Sequence, residues 1–304
     1  MIQFLEGHQA PVYAVAYSSD GKFLASGGFD RSAKIWDLGS GQAVRSLADH
    51  TDHVLGVAIS RDGHHLASCS LDKTILLYDF AAAIESGAAP LAPRLKLQGH
   101  TERIYSLDFS LDGNRLASTG ADKTIKLWNT ADGANYAHGV GHAAEVYSVA
   151  FHPHGEELAS ASADKSLRRW QAGDGKPIQE IKSGITDGLY SVTWSPDGSK
   201  LVAAGLAKVW QLWNTGDETP AKTVGGHRDY IYRAIFNPVG TRLATLGYTG
   251  TLMLWDVESA TVLHQEQLPM RSGYNLAWSP DGTRLAIAGS DPRIMLYDVP
   301  ESAR

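Results

Sequence analysis

The sequence predicts an all-β protein, a seven-bladed β-propeller of four-stranded antiparallel blades, and three recurring features predict it. An aromatic residue closes a short apolar run seven times, as Trp36, Tyr78, Trp128, Trp170, Trp213, Trp255 and Tyr297, at spacings of 42, 50, 42, 43, 42 and 42 residues. A Gly-His step or a relative of it lies 28 residues before six of them, at Gly7-His8, Asp49-His50, Gly99-His100, Gly141-His142, Gly184-Ile185 and Gly226-His227, with Leu268-Pro269 at the seventh place. An Asp-Gly turn stands between these markers at Asp20-Gly21, Asp62-Gly63, Asp112-Gly113, Asp197-Gly198 and Asp281-Gly282, replaced by His154-Gly155 and Val239-Gly240 in the other two units. A period of this length is the mark of a repeat architecture.

Each element of the unit follows in order. Val12 to Tyr17 (strand a), Phe23 to Ser26 (b), Ser32 to Trp36 (c) and Ala43 to Leu47 (d) are short runs rich in β-branched or aromatic residues, parted by turn residues. The Asp-Gly step supplies the positive φ that a tight a–b hairpin wants. One such sheet leaves both faces bare, and seven stacked radially bury them. The nearest thing to a helical pattern is Phe80 to Ser86. It opens an insertion, Ala81 to Pro93, that reads as a surface loop, with a blade-specific contact as the alternative. Ile2 to His8 aligns with Val44 to His50, a strand d, and the last repeat stops after its strand c at Tyr297-Asp298. The N-terminus is therefore expected to supply the missing strand and close the ring without exposed edges. Residues 1–304 form one propeller domain, with blades at about 8–47, 50–97, 100–140, 142–183, 185–225, 227–268 and 269–304 plus 2–5.

Composition narrows the function classes. The net charge is −6, from 27 basic and 33 acidic residues, and the basic residues are scattered singly, which argues against a nucleic-acid partner. No apolar run reaches the roughly 18 residues of a membrane span, so no membrane partner is expected. Cys69 is the only cysteine, and no signal peptide is apparent, so the expectation is a cytoplasmic, monomeric propeller. His64-His65 and His152-Pro153-His154 lack the cysteines or carboxylates of a metal site, and Gly27-Gly28 lacks the strand-to-helix context of a phosphate loop. Neither metal nor cofactor is expected. Trp210, on strand c, reads as a packing residue.

Gly-His near the start, Asp in the middle and Trp-Asp at the end of a unit of about 42 residues resemble the WD-repeat family of β-propellers, over essentially the whole chain. The resemblance implies a scaffold that presents loops and a central channel to other proteins. It also bears on four sets of residues at fixed spacing: His8, Ser26, Asp30 and Trp36; His50, Ser68, Asp72 and Tyr78; His100, Ser118, Asp122 and Trp128; His142, Ser160, Asp164 and Trp170. Their types echo a hydrolase triad. A catalytic site, however, occurs once, and this set occurs four times. It reads as a buried hydrogen-bond chain in which Asp accepts from His, Ser relays and the Trp N–H donates. In the resembling family these positions form such a structural tetrad. The equivalent residues are Ile185, Ala203, Ala207 and Trp213 in blade five, His227, Thr245, Thr249 and Trp255 in blade six, and Pro269, Ile287, Asp291 and Tyr297 in blade seven. These three blades are expected to be held less by hydrogen bonds and to exchange their amide protons sooner, and Asp291 to be exposed or bound elsewhere.

Five residues beyond each Gly-His histidine stand Tyr13, Leu55, Tyr105, Tyr147, Tyr190, Tyr232 and Tyr274, six tyrosines of the twelve in the chain. This position opens the innermost strand, so the seven side chains are expected to ring one mouth of the channel. They either simply fill the rim or form a platform for a peptide or a cationic side chain. Around them lie Pro11, His53, Arg103, Glu145, Gly188, Tyr230 and Ser272, and, before the mid-repeat Asp, Phe29, Leu71, Leu206 and Tyr248. Tyr190, Tyr230, Tyr232 and Tyr248 crowd blades five and six, where the anchor is expected; blade two, with Leu55 and His53, should contribute least. The function that follows is non-catalytic protein–protein interaction at this mouth. The alternatives are the recognition domain of a larger signalling protein, and an enzyme acting in the channel. The latter would need converging carboxylates or a metal on the innermost strands.

Overall fold

The computed structural model describes residues 2–85, 91–182, 184 and 187–304. It contains seven four-stranded antiparallel sheets. Blade one runs Val12–Tyr17, Phe23–Gly28, Ala33–Asp37 and Gln42–Leu47 as strands a to d. The next five blades repeat this order. Successive strands a lie side by side around the ring, and that of blade seven returns to blade one. Strands a to c of blade seven are Gly273–Trp278, Arg284–Gly289 and Ile294–Asp298, and its outer strand is Ile2–Leu5, with Ile2 opposite Tyr297 and Leu5 opposite Ile294. The N-terminal residues thus close the ring, because they repeat the strand d pattern that the C-terminal repeat lacks.

The a–b hairpins form as the turn chemistry dictates. The glycine at all seven turns, including Gly155 and Gly240, holds a φ between 69° and 78°, a conformation that other residues adopt only at a cost. The core lies between blades, not within them. The junction of blades one and two joins Ala25, Ile35 and Leu47 to Val54, Leu66 and Leu76, and the closing junction joins Ala286, Ala288 and Leu296 to Leu5, Leu24 and Trp36. A flat, half-apolar sheet gains stability only when its neighbour covers it, so the blades stand or fall together.

The insertion after strand c of blade two begins with a five-residue helix, Phe80–Ile84, capped by the Asp79 side chain. Arg45, on strand d of blade one, bonds the carbonyls of Ala83, Ala82 and Glu85, and Phe80 meets Phe23 edge-on at 6.1 Å. The blade-specific contact is therefore made within the chain, to blade one. The rest of the insertion, residues 86–90, lies outside the described residues.

The tetrads are hydrogen-bond chains, as their repetition requires. In blade three, Asp122 lies 2.7 Å from His100 Nδ1, His100 Nε2 lies 2.7 Å from the Ser118 hydroxyl, and the Trp128 N–H donates to Ser118 at 2.8 Å. Blades one and four repeat this with His8, Asp30, Ser26 and Trp36, and with His142, Asp164, Ser160 and Trp170. Burial opposes ionisation of Asp122, but the hydrogen bonds from His100 and Thr124 outweigh it and bring the carboxyl to about 2. Burial holds His100 below its ordinary range, against the pull of Asp122. An ionised Asp and a neutral His result, so the one ring N–H points to the Asp and the other nitrogen accepts from Ser. Gly28 leaves room for the chain in blade one: a Cβ there would stand 2.9 Å from His8 Nδ1 and 3.0 Å from Asp30 Oδ1.

One expectation is corrected. Tyr78 stands at the tetrad position of blade two, where His50 bonds Asp72 and Ser68, but its hydroxyl donates to Asp49 at 3.0 Å and not to Ser68. A phenol reaches past the site that an indole N–H would meet. Blade six keeps only part of the chain, because His227 Nδ1 has no hydrogen-bond partner among the described residues. His227 lies 2.7 Å from the Thr245 hydroxyl, Trp255 donates to that hydroxyl at 2.8 Å, and Asp229 rather than Thr249 faces His227, with the Thr249 N–H bonded to Asp229. Blade seven uses other partners. The Tyr297 hydroxyl donates to Glu266 at 2.6 Å and lies 2.8 Å from His264, while Asp291 pairs with Arg293. In blade five Ala203 is fully buried, and the Trp213 N–H has no hydrogen-bond partner among the described residues; Ile185 lies outside them. Trp210 is fully buried against the edge of Trp255, as a packing residue would be.

Candidate functional site

A single irregularity, repeated seven times, builds the mouth of the channel. In every blade the pairing of strand a with strand b slips by one residue near the start of strand a: between Val12 and Ala14, Val54 and Gly56, Ile104 and Ser106, Val146 and Ser148, Leu189 and Ser191, Ile231 and Arg233, and Gly273 and Asn275. The residue skipped is Tyr13, Leu55, Tyr105, Tyr147, Tyr190, Tyr232 or Tyr274. A β-bulge frees its extra residue from the ladder and re-aims the side chain. These seven side chains line a cavity of about 220 Å³, together with Ser106, Asn275 and Arg233.

The tyrosine rings touch in sequence around the cup. Centroid separations are 5.1 Å for Tyr105–Tyr147, 5.0 Å for Tyr147–Tyr190, 4.8 Å for Tyr190–Tyr232, 6.1 Å for Tyr232–Tyr274 and 5.3 Å for Tyr274–Tyr13. Leu55 interrupts the circuit at blade two. A second tier extends it outward: Phe29 stacks on Tyr13 at 6.0 Å and on His53 at 4.5 Å, and Tyr248 stacks on Tyr232 at 5.6 Å and leans on Tyr230 at 6.4 Å. Tyr230 and Tyr248 are 42% and 39% exposed, so blade six carries apolar ring surface up to the rim.

Glu145 holds one side of the cup, accepting from Tyr105 at 2.9 Å and from Tyr147 at 3.0 Å. The hydroxyls of Tyr13, Tyr190 and Tyr232 have no hydrogen-bond partner among the described residues and line the cavity. Burial raises the pKa of these phenols, that of Tyr232 to about 12, so all remain protonated donors at neutral pH.

Two charged residues of the inner strands were not singled out from the sequence. Arg233 follows Tyr232 and lines both the tyrosine cup and a second cavity, of about 530 Å³, that also includes Asp108. Burial raises the Asp108 carboxyl to about 6, against the hydrogen bond from the Phe151 N–H at 2.6 Å and the nearby charge of Arg233. A charge within a six-residue apolar strand, as in IYSLDF and IYRAIF, is the signal that could have found them. Among the described residues no three His, Cys, Asp or Glu side chains converge as a metal would need, and no helix is long and apolar enough to cross a membrane.

A closed ring of four-stranded blades, tied internally by His-Ser-Trp chains and open at an aromatic mouth, defines a propeller of the interaction-scaffold class. The chain belongs to the WD40 family: the WD domain, G-beta repeat, matches residues 1–37, 41–79, 92–129, 136–171, 175–214, 218–256 and 273–298. Among curated relatives, it is 36% identical over 53 residues to a subunit of chromatin assembly factor 1 from Gallus gallus, covering 17% of this chain and 9% of that protein. It is 44% identical over 43 residues to WD repeat-containing protein SL1-17 of Schistosoma mansoni, 14% of each chain. It is 54% identical over 39 residues to vegetative incompatibility protein HET-E-1 of Podospora anserina, 13% of this chain and 3% of that one. The similarity thus spans a small part of each relative, about the length of one repeat.

Proposed function

We propose that this propeller is a non-catalytic scaffold that takes a partner protein, through an extended peptide, at the tyrosine-lined mouth of its channel. The observation that carries the reading is the circuit of six bulge-borne tyrosines around one cup, with unpaired hydroxyls pointing at the space a ligand would fill. Phenol hydroxyls can bond a peptide backbone, and ring faces can cover apolar or cationic side chains. Electrostatics refine the reading. Glu145 at the side of the cup attracts a basic residue, whereas Arg233 at its floor repels one, so a cationic side chain would rest high against Tyr105 and Tyr147. The apolar anchor belongs at Tyr190, Tyr232 and Tyr248, where ring surface is densest. One relative is by name part of an assembly factor, which fits a component of a protein assembly.

The test is capture of partners on the immobilised protein, then alanine substitution at each of the seven mouth positions. One or two tyrosines on blades five and six should dominate, as anchors usually do, and Leu55→Ala should change little. Equal binding by all seven variants, with loss on altering Ala81 to Pro93, would move the working surface away from the mouth.

A further inference from the structure

Arg233 and Asp108 face the channel from opposite walls. Arg233 lies on strand a of blade six and Asp108 on strand a of blade three, three blades away around a ring of seven. No ion pair or hydrogen bond joins them, yet each lies within the other's field. The Asp108 oxygen Oδ2 accepts from the Phe151 N–H. The guanidinium has no hydrogen-bond partner among the described residues, and its Nε is buried without one. Such a charge is costly to leave unmet. The cavity they share is walled by Val57, Leu107, Trp194 and Trp278, with Arg61 exposed at its edge. Its volume, about 530 Å³, is that of a small-molecule site.

We propose that this wider end of the channel binds a small zwitterion with an apolar body, an α-amino acid bearing a large hydrophobic side chain. The carboxylate would take the fork of Arg233, which suits a planar anion, and the ammonium would donate to Asp108. An amino acid carries both charges on one carbon, so it can meet both protein charges, which no direct hydrogen bond or ion pair joins. A carboxylate alone is drawn by Arg233 but repelled by Asp108, and an amine alone meets the reverse. The side chain rests against Trp194 and Trp278. This site shares Arg233 with the tyrosine cup and does not rest on peptide binding there.

Saturation-transfer NMR and calorimetric titration would test it with L-phenylalanine, 3-phenylpropionate and 2-phenylethylamine. L-phenylalanine should bind the wild-type protein, and each single-charge analogue at least about tenfold more weakly. Asp108→Asn should weaken L-phenylalanine by a similar factor with unchanged binding at the tyrosine mouth, and Arg233→Gln should weaken L-phenylalanine by a similar factor. The analogue series needs no variant, so it decides the matter even if a substitution fails to fold. No binding of L-phenylalanine, equal binding of 3-phenylpropionate, or a folded Arg233→Gln protein that binds like the wild type would each overturn the proposal.

Discussion

The guanidinium of Arg293 lies over the ring of Phe4, 4.3 Å from its centre, and so joins the two ends of the chain. Asp291 orients it, accepting from Arg293 Nε and Nη2 at 3.0 Å each. A tetrad position that lost its histidine thus serves the closing strand instead. Leu5, beside Phe4, is fully buried in the closing core.

Removing residues 1–6 should lower the melting temperature sharply and promote association through the freed edge of Ile294–Asp298. Leu5→Ala should cost about 2–5 kcal/mol, through the cavity it leaves. Arg293→Ala should cost far less, because the contact is solvated. Thermal melts with light scattering would check this; a truncated protein that stays monomeric and melts like the full chain would show that the ring does not depend on its N-terminal strand.

His100→Ala should destabilise the protein by about 1–3 kcal/mol, because Asp122 and Ser118 lose a buried partner. Partner binding at the channel mouth should not change, since the tetrad lies inside the blade. Urea unfolding measures the first and titration the second. Equal stability of variant and wild type would remove the tetrad's role in folding.

Blade five should be the weak point of the ring. Trp213 keeps a buried N–H without an acceptor, whereas its equivalent Trp128 reaches Ser118. Ala203→Ser places a hydroxyl at the corresponding position and should stabilise by about 1 kcal/mol. Amide exchange should be earliest in blade five, with blades one, three and four protected longest. Uniform protection, or a destabilised Ala203→Ser protein, would count against it.

Stability should fall on the acid side in two stages. Burial keeps His227 neutral and lowers it to about 4, against the pull of Asp229, and lowers His100 and His142 as well. The unfolded chain, with histidines near about 6.5, binds more protons below that pH. Their contribution is full above about 6.5 and, for His227, is lost as pH falls toward 4. Asp122 and Asp164 sit at about 2, below the roughly 3.9 of an unfolded carboxyl, so their contribution is lost between about 4 and 2. Urea unfolding at a series of pH values would show both stages. A flat profile from pH 7 to 4.5 would exclude the first, and His227→Gln should shrink it.

The ring of seven blades was legible because its determinants are local and repeated. The spacing of strand c aromatics, the turn glycines and the truncated last repeat each speak of one unit, and seven copies agree. The full tetrads of blades one, three and four were legible for the same reason, and so was the tyrosine position, by counting from Gly-His.

The tertiary structure decided what depends on register and on chain segments meeting from afar. That each mouth tyrosine is a bulge residue follows from hydrogen-bond pairing between two strands, which residue types do not specify. In blade six the carboxylate near His227 is Asp229, from the loop before strand a, while Thr249 stands at the tetrad spacing. Tyr78 turns to Asp49 because a phenol is longer than an indole N–H. Asp108 and Arg233 each read as one stray charge in an apolar strand; only closure of the ring sets blades three and six face to face, across a space where neither charge has a protein partner to neutralise it.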